Sequence, residues 1–330
     1  MYPTRRQSLT RVTRALAFFA TTTLSCVAWP QSYPSQAVRV IVPYPPGGTT
    51  DLIARTVSQA LATMWGHPLV IENKPGAGTI IGAESVARSQ PDGYTILATA
   101  EATFVVNPYV YRKLPYSSKD FIPVSGLGVS THALVTHPSV PIRNLRQLVS
   151  LVRTTPGSLN YGTFGIGSSS HLNMELLQSA AGIKVTPVHY KGAAPMLIDL
   201  IAGHIPLAFT GITLAAEPLR AGRLRALGIG GDMRLAEFPE MPTLAESGLP
   251  GFQAISWFGL FAPSKTPREV VAKINADVQR ILSNAEFRKK SLDPAYLRPL
   301  IGSPEQFAEY VKADGAKWSK IILEAKVSLE

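Results

Sequence analysis

A strand, a glycine loop and a helix start follow one another twice in this chain, about 120 residues apart. In the first unit the apolar run Val38–Val42 leads into Pro43-Tyr-Pro-Pro-Gly-Gly-Thr-Thr-Asp51 and then a helical pattern over 52–65. In the second, residues 159–163 lead through Phe164-Gly-Ile-Gly-Ser-Ser-Ser-His171 into a helical pattern over 172–181. The first N–H groups of a helix have no intrahelical partner, and the dipole puts positive potential there. Each unit is therefore built to receive an anion. Two of them, in what read as separate halves, predict two jaws on one small anion.

The surrounding pattern supports two halves. Residues 38–98 alternate strand and helix as βαβαβ, which predicts a parallel sheet with right-handed crossovers. A second such series runs from 145 to 229, with helices expected over 145–153 and 194–202 and strands over 205–210 and 225–229. Residues 121–135 and 256–262 are apolar and extended, and read as two crossings between the halves. The expected organisation is an export signal over 1–31, one lobe from 32–131 plus 255–330, and a second lobe from 132–254. The ligand position of such a molecule is the cleft at the carboxyl ends of the strands. Capping boxes are expected at Thr266-Pro-Arg-Glu269 and Ser303-Pro-Glu-Gln306, each starting a C-terminal helix.

Charge and cysteine content narrow the function further. The formal charge is +10, and removing Arg5, Arg6, Arg11 and Arg14 at the N-terminus leaves +6. No Lys/Arg block or basic stripe interleaved with aromatic residues is present, so nucleic acid is not an expected partner. The four arginines precede the apolar stretch 15–28, too short to span a bilayer but suited to a signal sequence. Cleavage is expected near 28–32, by either the general or the twin-arginine route. The single cysteine, Cys26, lies before that cut, so the mature chain would have no disulfide, thiolate metal site or cysteine nucleophile.

Candidate site residues follow from position. Gly47 and Gly48 at the end of the first strand are expected to touch ligand. Asp51 reads first as the helix N-cap, because a carboxylate facing an anion would repel it. Ser168, Ser169 and Ser170 compete for the second cap, with at least one left for ligand. His171 is either a packed first-turn histidine or a contact, and Lys191 either a surface lysine or the partner of a second carboxylate. Thr99 and Ala100 fall where a pocket wall would stand, with Thr210 as their counterpart in the second half. Tyr44 and Phe164 either set ligand size or cover the core beneath their loops.

Two enzyme readings compete. Residues 69–72, Gly76-Ala-Gly78, Gly82 and Glu101 imitate a dinucleotide-binding unit, which makes an exported NAD(P)-dependent oxidoreductase the alternative. Its glycine spacing is loose, Pro75 disturbs the loop, and no hydride-transfer acid or base follows. For a hydrolase, Gly165-Ile-Gly-Ser-Ser169 is not a nucleophile elbow. The six histidines show no metal-ligand spacing. No catalytic residue, metal or cofactor is implied.

Several motifs are familiar. Pro43-Tyr-Pro-Pro-Gly-Gly-Thr-Thr-Asp51, Glu72-Asn-Lys-Pro-Gly-Ala-Gly78, Pro91-Asp-Gly-Tyr94 and Tyr161-Gly-Thr-Phe-Gly-Ile-Gly-Ser-Ser-Ser-His-Leu172 resemble the Bug family, the extracytoplasmic receptors of tripartite tricarboxylate transporters. Tyr190-Lys-Gly192, Pro242-Thr-Leu-Ala-Glu-Ser-Gly248 and Trp257-Phe-Gly-Leu-Phe-Ala-Pro263 extend the match over the mature chain. The resemblance implies an α/β, two-lobed type II periplasmic-binding-protein fold and a monomer that passes a small carboxylate to permease subunits. It also implies that Pro46 and Thr49 in the first loop, and Thr163, Gly165 and Gly167 in the second, belong to the carboxylate grip. Asn173-Met174 departs from the small residues usual there, so the identity of the ligand does not carry over.

Overall fold

The computed structural model describes residues 33–324. The expected export signal, its cleavage site and Cys26 lie outside them. Strand β1 (Val38–Val42) has a fully buried apolar side, as a strand covered on both faces requires. Helix α1 (Thr49–Trp65) follows it, and Gly66 in the left-handed region ends that helix. Then come β2 (Leu69–Asn73), α2 (Ile80–Ala87) and β3 (Thr95–Ala100). Both β2 and β3 pair with β1 in parallel, the arrangement expected from the βαβαβ pattern.

The second series comprises α3 (Leu145–Thr154), β5 (Asn160–Thr163), α4 (Ser169–Ala181), β6 (Thr186–His189), α5 (Ala193–Ile201), β7 (Leu207–Gly211), α6 (Ile212–Arg220) and β8 (Arg225–Ile229). Strand β5 pairs in parallel with both β6 and β7. Joining the two series are β4 (Phe121–Thr136) and β9 (Ile255–Pro263), the two crossings read from the sequence. The sheet runs in the order β2-β1-β3-β9-β4-β7-β5-β6. Helices α7 (Arg268–Ser283) and α8 (Pro304–Glu324) complete the chain, with the short strand β10 (Leu297–Pro299) between them.

Strand β4 changes partners midway, and this decides where the two halves meet. Up to Thr131 it pairs with β9, and from His132 onward with β7. At the changeover the His132 N–H donates to Ala254 O and the Gly230 N–H donates to His132 O. The Ala254 N–H donates to Gly230 O in turn. Separate apolar clusters support the two sides. Ile41, Leu97, Trp257, Phe261 and Phe307 pack in one. Leu134, Tyr161, Leu177 and Phe209 lie on one face of the second sheet half, and Met196, Leu200 and Ile212 on the other.

The structure departs from the sequence reading at three places. Residues 102–110 form a π turn and a short helix that the sequence pattern did not indicate. Helix α6, with Pro218 inside it, had no sequence signal. The capping box at Thr266 does not form, because Pro267 takes the cap position and the Thr266 hydroxyl is buried without a partner. The box at Ser303 does form: Gln306 N–H donates to Ser303 Oγ at 3.3 Å and Ser303 N–H to Gln306 Oε1 at 2.9 Å.

A side-chain carbon at Gly230 would lie 2.6 Å from Ala254 O and 2.7 Å from Ala254 N. Those are backbone atoms of the crossing and cannot turn aside. Gly230→Ala is expected to lower the unfolding free energy by ~1–3 kcal/mol, read from urea denaturation.

Candidate functional site

Loop 43–51 is organised by one buried carboxylate. Gly48 occupies the N-cap of α1 and Asp51 the third helical position. Asp51 Oδ2 accepts from Gly47 N–H at 3.1 Å and from Arg55 Nε at 2.9 Å, and Oδ1 accepts from Asn73 Nδ2 at 2.8 Å. The expectation that Asp51 caps the helix is thereby corrected. Gly47, at φ +86, turns its N–H inward, and a carboxylate one turn into the helix reaches back to it. Burial pushes the Asp51 carboxyl up, but Arg55, Asn73 and the Gly47 N–H outweigh it and hold it below the usual carboxylate range. The amides of Gly48, Thr49, Thr50 and Asp51 have no hydrogen-bond partner among the described residues.

The second loop repeats the device with different chemistry. Ser168 occupies the N-cap of α4 and His171 the third helical position, and His171 Nδ1 accepts from Gly167 N–H at 3.1 Å. Gly167 is also in the left-handed region, at φ +71. His171 is thus the counterpart of Asp51. Burial, with His189 beside it, brings its imidazole down to about 4, so the ring is neutral. The serines divide their work. Ser168 Oγ donates to Gly165 O at 2.7 Å, and Ser170 Oγ accepts from Phe164 N–H at 2.8 Å. Thr163 Oγ1 accepts from Gly165 N–H at 3.1 Å and meets His189 Nδ1 at 2.8 Å. The amides of Ser169, Ser170 and His171 have no partner among the described residues.

Each loop reaches across to the other half. Pro45 Cγ lies 3.0 Å from where a side-chain carbon would stand at Gly192, and Thr49 Oγ1 lies 3.5 Å from that position at Gly211. Gly167 approaches Val106 and Val110 in the same way, at 3.1 and 3.7 Å. Pro46 and Lys191 are exposed on this approach. The Thr210 hydroxyl, one residue before the end of β7, is buried without a partner. Other candidates turn inward. Thr99 Oγ1 is held at 2.6 Å by Thr103 Oγ1, in a ladder continuing to Thr79, and Ala100 is buried beside it. The Tyr44 hydroxyl is also buried, close to Thr99, Ala100 and Glu101, with no hydrogen bond of ordinary length and angle among the described residues. The glycines that imitate a dinucleotide loop serve packing: Gly78 abuts the Tyr111 hydroxyl and Gly82 abuts Pro43.

A buried polar chain at the changeover escaped the sequence reading. Asn173 Nδ2 lies 3.2 Å from His132 Nδ1, His132 Nε2 lies 3.0 Å from Ser256 Oγ, and Ser256 Oγ donates to Glu101 Oε1 at 3.0 Å. It joins β3, α4 and both crossing strands. The bonding pattern assigns the His132 proton to Nε2. Asn173, the polar residue where small ones are usual, was one signal, and Glu101 stood out only within the dinucleotide imitation.

Burial brings the His132 imidazole down to about 4 and raises the Glu101 carboxyl to about 7. The signs are opposite. The folded state prefers neutral His132 and His171, so their contribution is present above pH 6.5 and is lost as pH falls toward 4. It also prefers protonated Glu101, so its contribution is present below pH 4.5 and is lost as pH rises through 7. Glu101→Gln is therefore expected to stabilise the protein by up to ~3 kcal/mol at pH 8 and hardly at all at pH 4.5, measured by urea denaturation at both.

The family model described as "Tripartite tricarboxylate transporter family receptor" matches residues 53–327. Protein BugT of Bordetella pertussis is 32% identical over 329 residues, covering 97% of this chain and 99% of its own. Among solved structures, R. palustris Rpa4515 with adipate superposes with TM-score 0.87 at 34% identity, over 90% of this chain and 99% of that one. MatC (Rpa3494) from Rhodopseudomonas palustris with bound malate gives 0.82 at 33%, over 88% and 100%. A transporter-family receptor is a solute-binding protein rather than an enzyme, which removes the oxidoreductase alternative. The paired loops, the crossing strands and these matches together place the chain in the tripartite tricarboxylate transporter receptor family, among the Bug-type solute receptors.

Proposed function

We propose that this chain is an exported periplasmic receptor that captures a small organic carboxylate between the β1–α1 and β5–α4 loops. It would then present that ligand to the permease of a tripartite tricarboxylate-type transporter. The observation that carries the reading is the pair of helix starts with open amides, Gly48 to Asp51 and Ser169 to His171. Neither loop contains Arg or Lys, so backbone N–H groups and the helix dipoles supply the attraction. Gly47 and Gly167 are committed to Asp51 and His171, which leaves the following residues as the contacts. The relatives with adipate and malate support a carboxylate as the ligand class.

In this reading 32–131 plus 255–330 form one lobe and 132–254 the other, with residues 1–31 as the export signal. The partner change of β4 at Thr131 and His132 supports a hinge there. The receptor acts as a monomer. Closure exchanges the hydration shell of the carboxylate for loop amides, and only a ligand that prefers the closed form drives it.

Gly48 tests the site cleanly. Its φ of −84 suits any residue, and a side-chain carbon there would meet nothing within 4 Å. The glycine therefore keeps space open in front of the amides rather than permitting a turn. Wild type should gain ~2.7 kcal/mol of stability at a carboxylate concentration 100 times its dissociation constant, seen as a raised melting temperature. Gly48→Val should melt like unliganded wild type and lose that gain. A panel containing adipate, malate and NAD in which no carboxylate raises the melting temperature, or full retention of the gain in Gly48→Val, would refute the assignment.

A further inference from the structure

Glu101 is only 3% exposed, and among the described residues its Oε2 has no hydrogen-bond partner. Its neighbours come from five elements. Tyr44 approaches from the first loop, and Ser169 from the start of α4. Ser256 bonds to Oε1 from β9, and behind it stands neutral His132 of β4. Asp314 and Tyr310 face it from α8. Asp314, which accepts from Trp257 Nε1 at 2.8 Å, adds a second carboxylate to this corner, and Lys317 lies toward Asp314. No Lys or Arg pairs with Glu101 among the described residues. A buried carboxylate without a cation is costly to ionise.

Two more buried orphans lie in this region, one beside Glu101 and one two side chains away. The Tyr44 hydroxyl lies beside Glu101, and Asn173 Oδ1, at the far end of the chain through Ser256 and His132, is also buried without a partner. Buried polar atoms in native proteins nearly always find a partner, whether protein, water or ligand. Two of these three atoms, Glu101 Oε2 and Asn173 Oδ1, can only accept from such a partner once Glu101 is ionised.

We propose that Glu101, with Tyr44 beside it and Ser169 facing it, lines the ligand pocket next to the second helix start. There it selects a carboxylate whose other end carries hydrogen-bond donors, an ammonium or a hydroxyl, over one ending in a second carboxylate. The inference rests on the receptor reading and deepens it. A ligand donor at Oε2 satisfies the orphan and offsets the cost of the buried charge, whereas a second carboxylate would meet like charge. Sites built around buried polar groups discriminate strongly against analogues that leave those groups unpaired.

The test uses length-matched probes on the purified receptor at pH 8: adipate, 6-aminohexanoate and 6-hydroxyhexanoate, with the corresponding four- and five-carbon series. Calorimetric titration should show the amino or hydroxy acid of the best-fitting length binding about tenfold or more tighter than its dicarboxylate. Glu101→Gln, which keeps shape but not charge, should erase most of that ratio, mainly by weakening the amino acid. In wild type, lowering pH from 8 to 6 protonates Glu101, so the amino acid should weaken while the dicarboxylate strengthens. A preference for the dicarboxylate at pH 8, or a ratio unmoved by both the substitution and pH, would overturn the inference while leaving the receptor reading intact. Failure of every carboxylate to bind would remove both.

Discussion

The hydrogen bond from a left-handed glycine back to the third residue of the following helix is the constraint on which the site depends. Asp51 takes the Gly47 N–H and His171 takes the Gly167 N–H, four residues apart in both loops. Each bond fixes the angle at which the chain enters its helix and leaves the next amides without partners. One loop uses a carboxylate, held ionised by Arg55 and Asn73, and the other a neutral imidazole held so by burial. The negative charge on Asp51 is thereby spent on its own loop rather than facing an incoming anion.

The crossing strands set what the two loops can do together. Because β4 pairs with β9 along its first part and with β7 along its second, the halves share a continuous backbone through Thr131 and His132. Side chains from both crossings, His132 and Ser256, carry a polar chain from Glu101 at the end of β3 to Asn173 in α4. The chain thereby ties together residues on both sides of the changeover.

Much of this was legible in sequence, because it is local. The glycine loops, the βαβαβ alternation, the two apolar crossings and the box at Ser303 all follow from neighbours in the chain. The cap assignment failed at Asp51 because Gly47 and Asn73, which decide its role, act through φ and through a residue 22 positions away. Thr99 reads as a pocket wall from its place at a strand end, but Thr103, one turn on, claims its hydroxyl. Glu101 and Ser256 are 155 residues apart, and no periodicity links them. Glu101 carried a signal only as part of a dinucleotide imitation, whose glycines prove to be close-packing positions against Tyr111 and Pro43.

The central claim is that backbone amides at two helix starts, and no cation, hold the ligand carboxylate. Amide chemical shifts followed by heteronuclear NMR during titration with a bound carboxylate test it most directly. The account predicts the largest changes at the amides of Gly48, Thr49, Thr50, Ser169, Ser170 and His171, with Gly47 and Gly167 changing less because their N–H groups are already engaged. Saturating binding that leaves both clusters unmoved, with changes centred on lysine or arginine side chains elsewhere, would contradict it.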